Sequence, residues 1–164
     1  MNSLNSQDIL ETYRSTIQWT IRLDGLDDSI WFNPIAEGKA SIAEIISHLR
    51  NWDRYLIENA VPAARRGDGI VFPEFDPFNS LAYDYAKSGI SPKQLLEEFR
   101  STRMELCDWL LELGEDTLGK HVTANGVALC PHTGTPYSLL YILQEFIEHD
   151  NHHKTQMDTA LLNR

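Results

Sequence analysis

The chain repeats apolar residues at helical spacing in four separate stretches, the first three closed off by glycine, proline or paired aspartates. The clearest is SPKQLLEEFRSTRMELCDWLLELG, residues 91–114, where Leu95, Phe99, Leu106, Leu110 and Leu113 share one helix face. Ser91 is a good N-cap, Pro92 sits in the first turn where its missing N–H costs nothing, and Gly114 is a natural stop. Residues 7–23 repeat Leu10, Tyr13, Ile17 and Ile21 before Asp24–Gly25 and Asp27–Asp28 interrupt. The next helix opens at Ser41, where SIAE is a capping box, and carries Ile42, Ile45, Ile46, Leu49, Trp52 and Leu56 towards an end at Pro62 and Gly67. The last opens at Thr135–Pro136 and runs to about Leu162, with Leu139, Leu143, Phe146, Met157 and Leu161 as its core face. Four such helices in 164 residues predict an all-α chain folded as one domain over residues 1–164, a four-helix bundle. Residues 63–90 read as a long crossover loop, either a plain connection or a cover for one end of the bundle. Residues 115–134 read as a second loop, whose glycine and proline content argues against a sheet despite strand-like pieces near Val122 and Val127.

Charge narrows the function. The net charge of −10 opposes a nucleic-acid partner, because phosphate binding needs clustered Lys and Arg, and Arg65–Arg66 is the densest basic run. The same balance disfavours an anionic membrane surface, and no run is apolar enough to span a bilayer. MNSLNSQDIL lacks the features of a signal peptide, and Cys107 and Cys130 make no disulfide framework, so the expected location is the cytoplasm.

The histidines carry the chemistry. Half of the six lie in EFIEHDNHHKTQM, residues 145–157. His149 and His153 are one turn apart on a helix, with Cβ atoms about 5–6 Å from each other. Two imidazoles so placed can reach one metal ion, while His152 points about 100° away. The plain alternative is three solvated histidines on a polar face. A third ligand is available in His48 of IISHLRNWDRYL, on the flank of its helix's apolar stripe beside Trp52 and Tyr55. If these two helices are neighbours, His48, His149 and His153 face one groove, and three neutral imidazoles leave open positions as catalytic metal sites do. Asp150 falls near the middle of the last helix's apolar face, so its carboxylate needs a partner. It either orients a ligand imidazole from outside the coordination sphere or bonds to an Arg or Trp in the core.

Taken in order, WFNPIAEGKASIAEIISHLRNWDRYL, the long loop, SPKQLLEEFRSTRMELCDWLLEL and EFIEHDNHHKTQM resemble the DinB-like superfamily, which includes the YfiT-like metal-dependent hydrolases. The resemblance covers nearly the whole chain. It rests on His48 followed by Trp52–Asp53 and on the H-x-x-H-H pattern of His149, His152 and His153. It implies an up-down-down-up bundle, His48, His149 and His153 as ligands of a divalent metal ion, zinc or nickel, His152 as a non-ligand, and a homodimer. Aromatics expected to be exposed, such as Trp19 and Tyr141, add some support for the dimer. Characterised relatives of this kind include thiol-dependent S-transferases and isomerases, which use bacillithiol, mycothiol or glutathione.

Three functions follow as expectations. The first is a metal-dependent thiol S-transferase that joins a low-molecular-weight thiol to a small-molecule electrophile for detoxification. The second is a hydrolase with a metal-bound water nucleophile, for which Tyr55, Glu148 and Asp150 are loosely placed candidate bases. The third is a non-catalytic metal- or ligand-binding protein. No catalytic residue is identifiable, and the cations Arg54, Arg65, Arg66 and Arg103 are too scattered to define a pocket for a thiol's carboxylates.

Overall fold

The computed structural model describes residues 5–163. Among them the chain is helical, with isolated β-bridges and no strand. The first bundle element is broken into α1 (Ser6–Arg14), α2 (Thr16–Trp19) and a 3₁₀ turn at Thr20–Leu23. That break corrects one expected core position. Tightening to 3₁₀ rotates the following side chains, so Leu23 and Thr20 are buried while Ile21 is half exposed. A short α3 (Asp28–Trp31) then seats Trp31 in the core.

The second bundle element starts with α4 (Ile42–Tyr55), and both halves of the Ser41–Glu44 capping box form. Pro62 does not end it. The helix widens to a π-turn at Leu56–Ala60 and continues as α5 (Val61–Arg66), with Pro62 in the first turn of α5. Widening relieves the proline of the clash and missing bond it would cause in a regular helix interior. Gly67, at φ 76°, is the true stop, in the left-handed conformation that glycine adopts freely.

The crossover is a second correction. It contains α6 (Phe75–Ala86), which the prolines and aspartates of this stretch disguise. Pro77 sits in the first turn, where no N–H is needed, and Ala82 and Ala86 lie buried at helical spacing. The third bundle helix, α7 (Pro92–Gly119), continues past Gly114, whose φ of 82° marks a kink rather than an end. The fourth, α8 (Leu139–Leu162), begins three residues later than expected, because the Ser138 hydroxyl accepts from the Tyr141 N–H and so caps it. Trp19 and Tyr141 are both partly covered: Arg22 lies over the Trp19 ring at 4.7 Å, and Tyr141 packs on Tyr137.

Two apolar clusters fill the bundle. One gathers Ile9, Leu10, Leu56, Leu106, Leu110, Leu139 and Leu143; the other gathers Leu23, Trp31, Ile42, Ile46, Leu49, Leu95, Phe99 and Met157. Residues 120–138 fold over the first cluster as a small bridged loop. Its Asn125–Gly126 pair has positive φ at both positions, a two-residue reversal of the kind that closes hairpins, and Ala124 and Val127 exchange both backbone hydrogen bonds. Cys107 and Cys130 are free and buried.

Candidate metal centre

α4 and α8 bring three imidazoles to one point. His48 Nε2 lies 3.0 Å from His149 Nε2, and His153 Nε2 lies 3.1 Å from the same atom. The i,i+4 step on α8 sets the second contact, and the packing of the bundle sets the first. His48 is buried, His149 and His153 are half-buried, and His152 is exposed and turned aside. His48, His149 and His153 are the group of His, Cys, Asp or Glu side chains among the described residues whose donor atoms converge in the manner of a metal site.

The electrostatics favour lone pairs. Burial, reinforced by the neighbouring imidazoles, pushes His48 down to about 3 and His149 to about 4, and burial lowers His153 as well. All three rings are therefore neutral at physiological pH. Gln156 Oε1 sits 2.9 Å from His153 Nδ1 and accepts its proton, which leaves the Nε2 lone pair facing the centre. Gln156 escaped the sequence reading, although its i,i+3 spacing from His153 was the available signal. Three neutral nitrogens this close cannot all be satisfied by protons. His149 Nε2 touches both partners, and a single shared proton bonds well along one direction only. On one ion with M–N bonds of about 2.0–2.1 Å, ligand nitrogens stand roughly 2.9–3.4 Å apart for angles between 90° and tetrahedral. The spacings of His149 to its two partners, the protonation and the chemistry of the donor set fit a divalent metal ion.

Asp150 is placed elsewhere. Its carboxylate accepts from Arg103 Nη1 at 2.7 Å, from Arg103 Nη2 at 3.2 Å and from the Thr16 hydroxyl at 2.9 Å. Its hydrogen bonds thus run to the core arginine, the second of the two partners its position allowed, and none of them runs to an imidazole. Asp53 mirrors it from α4, accepting from Arg103 Nε at 2.7 Å and from the Tyr13 hydroxyl at 2.8 Å.

A cavity of about 510 Å³ opens beside His48 and His149. Trp52, Phe72, Phe75 and Phe146 give it aromatic walls, and Asn79, Asn125, His132 and Glu145 supply its polar groups. The crossover and the bridged loop build this wall. Asn79 of α6 accepts from the Trp52 indole N–H at 3.0 Å, and Asn125 accepts from the Phe72 N–H at 2.7 Å. The crossover thus covers one end of the site, the functional one of its two sequence readings. Tyr55 is not in the lining but packs behind Trp52, with ring centroids 5.7 Å apart. Glu145 and Glu148 are both exposed, but only Glu145, one turn before His149, lines the cavity, and partial desolvation with repulsion from Glu148 raises its pKa. Neither Arg54, Arg65, Arg66 nor Arg103 lines the cavity, which holds no Lys or Arg.

An all-helical bundle with three convergent neutral histidines at the foot of an aromatic cavity defines a class, helical bundles whose histidine cluster could hold a metal ion. The model of the DinB superfamily matches residues 11–157, and the chain belongs to that superfamily. Its fold is similar to that of YfiT from Bacillus subtilis, described as a probable metal-dependent hydrolase with an unusual four-helix bundle topology. The TM-score is 0.72 at 13% identity, over 98% of this chain and 89% of that one. No curated protein matches the sequence. No helix among the described residues is long and apolar enough to cross a membrane.

Proposed function

We propose that this protein is a metal-dependent S-transferase that joins a low-molecular-weight thiol, of the bacillithiol, mycothiol or glutathione type, to an apolar electrophile. The supporting observation is the opening of the His48–His149–His153 group into an aromatic-walled cavity without a cation. A zinc or nickel ion held by these imidazoles would stabilise a thiolate at neutral pH. The chain's own residues do the rest. Trp52, Phe72, Phe75 and Phe146 bind and orient the electrophile and exclude water from it. The sulfur–carbon bond forms as the leaving group departs with its electron pair, and the thiol proton passes to solvent. With no Lys or Arg in the lining, the thiol's carboxylates extend out of the cavity and only its sulfur enters.

A specific observation favours a second reading, a metal-dependent hydrolase. Glu145 lines the cavity with a raised pKa, and such a carboxylate suits a general base or acid. One experiment separates the two. Zinc- or nickel-loaded protein is incubated with a chloronitroarene, with and without glutathione or bacillithiol. S-transfer requires product that appears only with thiol, at one thiol consumed per product. Thiol-independent turnover, or none with any thiol, overturns the transferase reading, and turnover of esters or amides by thiol-free protein establishes the hydrolase.

A further inference from the structure

The two apolar clusters of the bundle are separated by one buried polar layer. On α7 the apolar residues Leu95 and Phe99 belong to one cluster and Leu106 and Leu110 to the other, with Arg103 between them. On α4 the divide falls between Leu49 and Leu56 and holds Asp53; on α8 it falls between Leu143 and Met157 and holds Asp150. The α8 stretch carries His149 and His153, and His48 directly precedes the α4 stretch.

Arg103 is 1% exposed, and all five of its N–H groups are engaged. Nε and Nη2 reach Asp53, at 2.7 and 3.2 Å; Nη1 and Nη2 reach Asp150, at 2.7 and 3.2 Å; Nη1 also donates to the Tyr13 carbonyl at 2.9 Å. The Tyr13 ring lies against the guanidinium at 3.7 Å. One rigid planar group therefore grips a carboxylate on each ligand-bearing helix and ties both to the first helix. α4 packs far more extensively on α7 than on α8, so the His48-to-His149 approach is set largely through α7.

We propose that Arg103 is the positioning residue of the metal centre. It holds Asp53 of α4 and Asp150 of α8 in fixed register, and so fixes the 3.0 Å approach of His48 to His149. Buried polar groups of this kind stabilise little beyond what apolar residues of similar volume would, and their best-attested use is to specify register. Asp150 acts on the ligands through Arg103, not by a bond of its own to an imidazole. The inference rests on metal binding by the histidines and is independent of the reaction.

The test uses two variants of the full chain. Arg103→Lys keeps the charge but cannot fork to two carboxylates. The triple variant Asp53→Leu, Arg103→Met, Asp150→Leu replaces the layer by an apolar one that leaves no charge unpaired. Zinc affinity is measured by competition with a chelator, well below each variant's melting midpoint, and the visible spectrum of the cobalt-loaded protein reports the ligand field. The expected result is folded variants whose zinc affinity falls about ten-fold or more, with an altered cobalt spectrum. A merely structural role would lower the melting midpoint and leave the affinity of the folded molecules alone. A folded variant with wild-type affinity and spectrum overturns the inference; should the triple variant not fold, Arg103→Lys decides. Wild-type protein that binds no zinc at all would instead remove the metal reading itself.

Discussion

His48 and His149 stand 101 positions apart in the chain, yet their Nε2 atoms are 3.0 Å from each other. Neither nitrogen is charged at neutral pH, because burial, with repulsion from neighbouring imidazoles, holds both rings far below the usual imidazole range. That pair and His153 make a centre whose protonation, spacing and exposure are testable separately.

The metal-free protein should lose stability as pH falls. The folded-state values of about 3 for His48 and about 4 for His149 lie below the ordinary 6.5. From about pH 6.5 down to about 4 for His149 and about 3 for His48, the unfolded chain therefore binds protons that the folded chain refuses, and stability declines as pH falls through that window. Urea midpoints at pH 7 and pH 5 read this directly. Replacing both histidines by Gln should flatten the dependence, and an equally steep fall in the double variant would rule the assignment out.

Asp150→Asn should weaken the metal-free fold. Breaking a buried ion pair leaves the partner charge uncompensated at a cost of about 3–5 kcal/mol, and the amide oxygen retains one acceptor, so a loss of about 3 kcal/mol is expected. Denaturant melts of the metal-free proteins measure it. A midpoint unchanged from wild type would mean that Arg103 finds another partner.

Glu145→Gln should leave zinc affinity and S-transfer within about two-fold of wild type, since thiol activation needs no cavity base. A rate loss of about a hundred-fold or more would make Glu145 a general base or acid and would favour the hydrolase.

The homodimer expected from the family resemblance is a proposal for solution measurement. Light scattering at tens of micromolar should give twice the mass of one chain; the monomer mass would reject it.

Most of the helices were legible because their signals are local. Ser41 with Glu44, and Ser91 with Pro92, mark helix starts that the structure reproduces. α6 was hidden because Pro73, Pro77 and the adjacent Asp and Asn residues are loop markers, and only the burial of Ala82 and Ala86 reveals its inner face. Pro62 misled for a related reason: a π-turn, invisible to periodicity, carries the helix through it. At the site, the i,i+4 pair was readable from spacing and His48 from its flank position. The partner of Asp150 was not, because Arg103 lies 47 residues away on another helix and nothing local distinguishes it from the solvated arginines. Glu145 needed the cavity to be seen, whereas the i,i+3 spacing of Gln156 from His153 was a readable signal.

The most direct test is metal content. Protein purified without chelator should carry about one divalent ion per chain. His48→Ala, His149→Ala and His153→Ala should each lose most of it, whereas His152→Ala should retain it. Wild-type metal content in all three single variants would contradict the metal centre.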